Sequence, residues 1–119
     1  MAESTPPLAL SWQKEVRIAE FTDNKILDDA RISEIGQTLD SLIDEAVNPK
    51  LLLDFSNVEH LSSAALGMLI NANNKVKQKN GQLRLSSIRE QILEVFVITK
   101  LNRLFKIFPT REDAMTSFQ

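Results

Sequence analysis

Cysteine is absent from the chain, which removes disulfides, thiolate nucleophiles and thiolate metal sites. Histidine occurs once, as His60. A multi-histidine metal site is therefore excluded, and the scattered carboxylates do not suggest an all-oxygen one; no metal and no cofactor are expected. A charge excess is also missing. Fourteen Lys plus Arg stand against 16 Asp plus Glu, a formal net charge of -2, so the basic footprint of a nucleic-acid binder is lacking. No apolar run approaches the roughly 20 residues that span a bilayer. Residues 1–7 lack the basic region and apolar core of a signal peptide. These absences imply a cytoplasmic protein that neither binds nucleic acid nor inserts into a membrane.

Catalytic signatures are missing as well. There is no Gly-x-Ser-x-Gly elbow and no phosphate loop ending in Gly-Lys-Ser/Thr. Ser62 or Ser63 as a nucleophile needs a base, and His60 is the one imidazole. No third group is evident to orient it, so the chain is not expected to be an enzyme.

What is present is a regular alternation of elements. With 119 residues, one domain is expected: residues 8–119, after a flexible tail over 1–7. Residues 8–12 suit an edge strand. Residues 15–21 alternate, with Val16 and Ile18 on one side and Ala19 and Phe21 on the other, as in a strand covered on both faces. Thr22 to Lys25 reads as turn material, and Asp28 and Asp29 as helix caps. Ile32, Ile35, Leu39, Leu42, Ile43 and Ala46 then follow helical spacing until Asn48-Pro49 stops it. Leu51-Leu52-Leu53 fits a central strand buried on both faces. A helix from about 63 to 79 turns Leu66, Leu69, Ile70, Asn73 and Val76 inward. Lys75, Lys77 and Lys79 read as its solvated face, and Asn80-Gly81 as its left-handed end. A strand over 82–86, an unusually apolar helix over 88–99, a strand over 104–108 and a helix over 111–118 complete the order. The alternation implies an α/β fold with a mixed, mainly parallel central sheet and about four covering helices.

Three segments carry a family resemblance. They are Leu51-Leu52-Leu53-Asp54-Phe55-Ser56-Asn57-Val58, then Leu61-Ser62-Ser63-Ala64-Ala65-Leu66-Gly67, and finally Val95-Phe96 with Ile98-Thr99-Lys100-Leu101 and the stretch 104–114. In order and spacing they resemble the STAS domain, the family of bacterial anti-sigma factor antagonists, over about residues 10–118. The resemblance implies a single STAS-like domain that is not an enzyme. It implies an anti-sigma factor as partner, often itself a serine kinase. Phosphorylation of one serine at the start of the second helix would break that complex, and a serine phosphatase would restore it.

Carried over by position, the acceptor is Ser63, with Ser62 the choice one residue out of register. Ser62 falls on the family's aspartate, Ala64 on its second hydroxyl residue and Ala65 on its glycine. The implied partner surface comprises Asp23, Asn24, His60, Ser62, Ser63, Ala64 and Ala65. Ala65 would place a Cβ where glycine lets a partner approach. A second reading keeps the fold without the switch: a non-phosphorylated adaptor or scaffold subunit of a signalling or lipid-transport complex. Plain N-capping is the ordinary role of such serines, worth ~1 kcal/mol.

Overall fold

A computed structural model describes residues 6–118. In chain order the elements are β1 (Leu8–Gln13), β2 (Val16–Phe21), β3 (Lys25–Ile26), α1 (Asp29–Glu45), β4 (Lys50–Asp54) and β5 (His60–Leu61). They continue with α2 (Ser63–Gln78), β6 (Gln82–Ser86), α3 (Glu90–Ile98), a 3-10 turn (Leu101–Arg103), β7 (Lys106–Phe108) and α4 (Arg111–Thr116). The main sheet runs β1-β2-β4-β6-β7. Its β1–β2 hairpin is antiparallel and every other pairing parallel, so the expected fold class holds.

The pleat sorts the strands into two faces. Register aligns Leu10, Ala19, Leu53, Leu85 and Ile107 in one row across the sheet. This face meets α1, α2 and α3 in the main core, which includes Ile35, Leu39, Leu69, Val76, Ile92 and Phe96. On the opposite face Val16, Ile18 and Leu52 pack against Ala114 of α4, with Phe108, Met115 and Phe118 around them. Leu51, Leu52 and Leu53 are all buried, as a central strand between two layers requires.

Helix α1 begins where Asp28 accepts the Arg31 N–H at 3.0 Å. It crosses α2 closely: a Cβ on Gly36 would lie 3.3 Å from Met68.

The structure revises several local expectations. Asn80, at φ 56, takes the left-handed conformation that ends α2. Gly81 serves a different need, since a Cβ there would lie 2.4 Å from the Pro49 carbonyl oxygen. Lys75 pairs with Asp40 of α1 at 2.7 Å. The Lys79 ammonium donates to the Ile43 and Asp44 carbonyls at 3.0 and 2.9 Å. Both lysines therefore fasten α2 to α1, where a solvated face was expected. In α3 only Ile92 and Phe96 are buried, and Val97 and Ile98 are 53% and 79% exposed. The strand expected over 104–108 is confined to β7, because the Leu104 and Phe105 N–H groups turn back to the Leu101 carbonyl behind the 3-10 turn.

Of the expected tail, residues 1–5 lie outside the described residues. The Pro6 carbonyl accepts from the Thr22 hydroxyl at 2.6 Å, and the Pro7 carbonyl from the Thr22 N–H at 3.1 Å. Pro7 is buried.

Candidate functional site

The start of α2 is set by a small parallel sheet that sequence reasoning took for turn and loop. Lys25 and Ile26 of β3 pair with His60 and Leu61 of β5. One carbonyl, that of Asn24, accepts from both Glu59 and His60 N–H groups, at 2.7 and 3.1 Å. The Ile26 carbonyl accepts from the Ser62 N–H at 3.1 Å. These bonds fix the backbone up to the residue before the helix.

Asp23 completes this shelf. Its carboxylate takes two bonds from Arg31 of α1, Nε at 2.6 Å and Nη2 at 3.2 Å. The fork matches a carboxylate's two oxygens, which makes it one of the stronger side-chain pairings. That hydrogen bond raises the Arg31 guanidinium above its ordinary pKa, against the lowering effect of burial.

The exit of β4 is fixed from the other side. Asp54 is buried, and its Oδ1 accepts the Ser56 N–H at 2.8 Å. Its Oδ2 accepts Arg111 Nη2 at 2.6 Å and Nε at 2.8 Å. Arg111 also reaches Glu20 at 3.0 Å. Burial pulls the Arg111 guanidinium down, and the hydrogen bonds and charges of Asp54 and Glu20 more than reverse it. Asn57 donates to Glu20 and to the Phe21 carbonyl, at 3.0 and 2.9 Å. The loop from Phe55 to Glu59 is thereby tied to β2, and it delivers β5 to a defined place.

On this support the two serines differ. Ser62 is the N-cap of α2: its backbone is extended and its Oγ accepts the Ala65 N–H at 3.1 Å. Ser63 is the first helical residue and is exposed. Among the described residues its hydroxyl has no hydrogen-bond partner, and the N–H groups of Ser63 and Ala64 have none either. No acidic residue occupies the first turn. Unpaired first-turn N–H groups and the helix dipole favour an anion at this point. Capping thus accounts for Ser62 and leaves Ser63 unused.

Around Ser63, Asn24, His60 and Ala64 are exposed, and Asp23 and Ser62 are half-buried. Ala65 is a correction. It is fully buried in the core beneath the helix, so its Cβ faces inward and no partner reaches it. Gly67 is half-buried, and a Cβ added there would meet nothing within 4 Å. Sequence reasoning did not single out Leu27. It follows β3 and is 49% exposed, and an apolar residue amid Lys25, Asp28 and Asp29 was the available signal. Among the described residues no group of His, Asp and Glu could hold a metal ion, and no helix is long and apolar enough to cross a membrane.

Comparison with known proteins agrees with this architecture. A family model described as the STAS domain matches residues 13–114. A Thermotoga neapolitana protein, named as a candidate anti-sigma factor antagonist, is 34% identical over 80 residues, 67% of this chain and 70% of that one. An anti-sigma factor antagonist (STAS) domain protein from Planctomyces limnophilus has a TM-score of 0.84 at 19% identity, over 96% of this chain and 98% of its own. The Bacillus cell fate determinant SpoIIAA in its phosphorylated form has a TM-score of 0.69 at 16% identity, over 92% of this chain and 96% of its own. These last two likenesses speak for the fold alone.

Proposed function

The chain belongs to the STAS domain family, and we propose that it acts in the cytoplasm as an anti-sigma factor antagonist switched by phosphorylation of Ser63. Its partner is a kinase-type anti-sigma factor, and a serine phosphatase reverses the modification. The observation that carries this reading is the division of labour between the serines. Ser62 spends its hydroxyl on the cap, and the adjacent Ser63 presents a free one on a rigid, open helix start.

The physics of the switch follows from that placement. A phosphate adds ~-1.5 to -2 charges at neutral pH. On Ser63 it meets unpaired N–H groups and no first-turn carboxylate, so the domain stays folded. A partner seated on Asn24, Leu27, His60, Ser63 and Ala64 must then desolvate a dianion, and that is costly without a matching cation. The complex weakens while the fold persists.

The test is binding of the anti-sigma factor kinase to wild type, Ser63→Ala, Ser63→Asp and Ser62→Ala. Ser63→Asp should lose affinity by about tenfold or more at an unchanged melting temperature. Ser62→Ala should lose ~1 kcal/mol of stability through its cap and keep its affinity. Equal binding by Ser63→Ala and Ser63→Asp would remove the switch and leave a constitutive STAS adaptor.

A further inference from the structure

Every residue on the helix-covered face of the sheet is apolar except one. From β1 to β7 that face carries Leu8, Leu10, Trp12, Ala19, Phe21, Leu51, Leu53, Leu83, Leu85 and Ile107, and in their midst Arg17. Arg17 lies at the end of the sheet away from Ser63, opposite Trp12 on β1 and Leu51 on β4. An open cleft of about 860 Å³ lies there, walled by Trp12, Arg17, Leu42, Val47, Pro49 and Lys50. Its size is within the ~300–1,000 Å³ usual for small-molecule sites.

The charges of this cleft are incompletely matched. The Arg17 side chain makes no hydrogen bond and no ion pair among the described residues, and its Nε is buried without an acceptor. Its one polar-type contact is the Trp12 ring, 4.8 Å away. Stacking uses the flat face of a guanidinium and leaves the terminal N–H edge for an acceptor. Among the described residues Lys50 is held only by Glu15, at 3.4 Å, and the Glu15 side chain is 87% exposed. Such surface pairs are worth little, so Lys50 can turn to a ligand. Glu15 and Glu45 also line the cleft, so its formal charges balance, and both carboxylates oppose an anion until Lys50 leaves Glu15 for the ligand.

We propose that this cleft binds a small amphipathic organic anion. The apolar body lies against Trp12, Leu42, Val47 and Pro49, and a carboxylate or sulfonate head meets Arg17 and Lys50. Half of the lining is apolar and two of its polar members are cations without strong partners, a combination that suits one ligand with two ends.

Trp12 is the sole tryptophan, so its fluorescence reports this site directly. The probe is 8-anilinonaphthalene-1-sulfonate, titrated into the full chain and read by quenching of Trp12. N-phenyl-1-naphthylamine supplies the same aromatic body without the sulfonate. The sulfonate should bind saturably and quench Trp12, and Arg17→Gln should weaken it about tenfold or more, as loss of a charge-assisted bond does. The uncharged body should bind more weakly and be indifferent to Arg17→Gln. Val47 is 88% exposed, so Val47→Glu folds normally and should weaken the sulfonate by its added charge; Lys77→Gln, on an exposed helix face, should change nothing. Sulfonate binding unaltered by both Arg17→Gln and Val47→Glu, or binding that leaves Trp12 unquenched, would overturn the proposal. No kinase or partner enters this experiment, so its failure leaves the Ser63 reading untouched.

Discussion

Leu53 and Asp54 are neighbours on β4, both almost inaccessible, and they point to opposite faces of the sheet. Leu53 enters a broad apolar core under three helices. Asp54 enters a narrow layer closed by one short helix, where its partner is Arg111. The first face is stabilised by area and shape, which many apolar side chains satisfy. The second depends on a few charges at fixed distances. Arg84 on that same face illustrates the cost. It is buried, donates to Ser117, Gln82 and the Leu83 carbonyl, and stacks on Phe118. No carboxylate pairs with it among the described residues, and burial lowers its pKa. The face that carries the charges is the more specific one, and the less forgiving.

The contrast can be broken at its charged side first. Asp54→Ala should lose about 3 to 5 kcal/mol, the loss of the charge-assisted bonds that the buried carboxylate takes from the Ser56 N–H and from the partly exposed Arg111, read from the urea midpoint. Because Arg111 is raised above its ordinary value, its contribution is complete below the unfolded pKa and is lost only as pH rises through the folded one. Melting of the wild type between neutral pH and moderate alkali should therefore show no loss from this pair. Leu53→Ala comes next, with a loss of about 2 to 5 kcal/mol set by the cavity it leaves. That loss should be the same at low and high salt. The smallest effect sharpens the comparison from within the apolar core. Asn73 is buried on α2, and among the described residues its amide nitrogen has no partner. Asn73→Leu should raise stability by about 1 kcal/mol, since it removes an unsatisfied donor; a loss on calorimetry would show that the amide is held after all.

The apolar face was the legible one. Period-two alternation gave β2, three consecutive leucines gave β4, and the spacing from Ile32 to Ile43 gave α1, because burial leaves its mark at fixed intervals along one segment. The charged face was not legible. Arg111, Asp54 and Glu20 are far apart in the chain, and nothing near any one of them announces the others. The same holds at the candidate site. Ser62 and Ser63 read alike as letters, and only the Ala65 N–H, bonded to one and not the other, separates cap from free hydroxyl. Ala65 was placed on the outside because the family's glycine suggested an approaching partner, yet the helix phase set by Ser62 turns it inward. The β3–β5 pairing escaped notice because two residues per strand leave no periodicity to read.

The Arg111 cluster also bears on the order in which the chain acquires its shape. Arg111 reaches back 91 residues to Glu20 and 57 to Asp54, so these bonds close long loops. Contacts of that separation form late, after shorter loops have already restricted the chain. During synthesis, β2, α1 and β4 emerge before Arg111 does. The anchor that Arg111 gives to the exit of β4 would then form only when the last helix docks. A nascent chain would carry Ser63 before the support beneath it is complete.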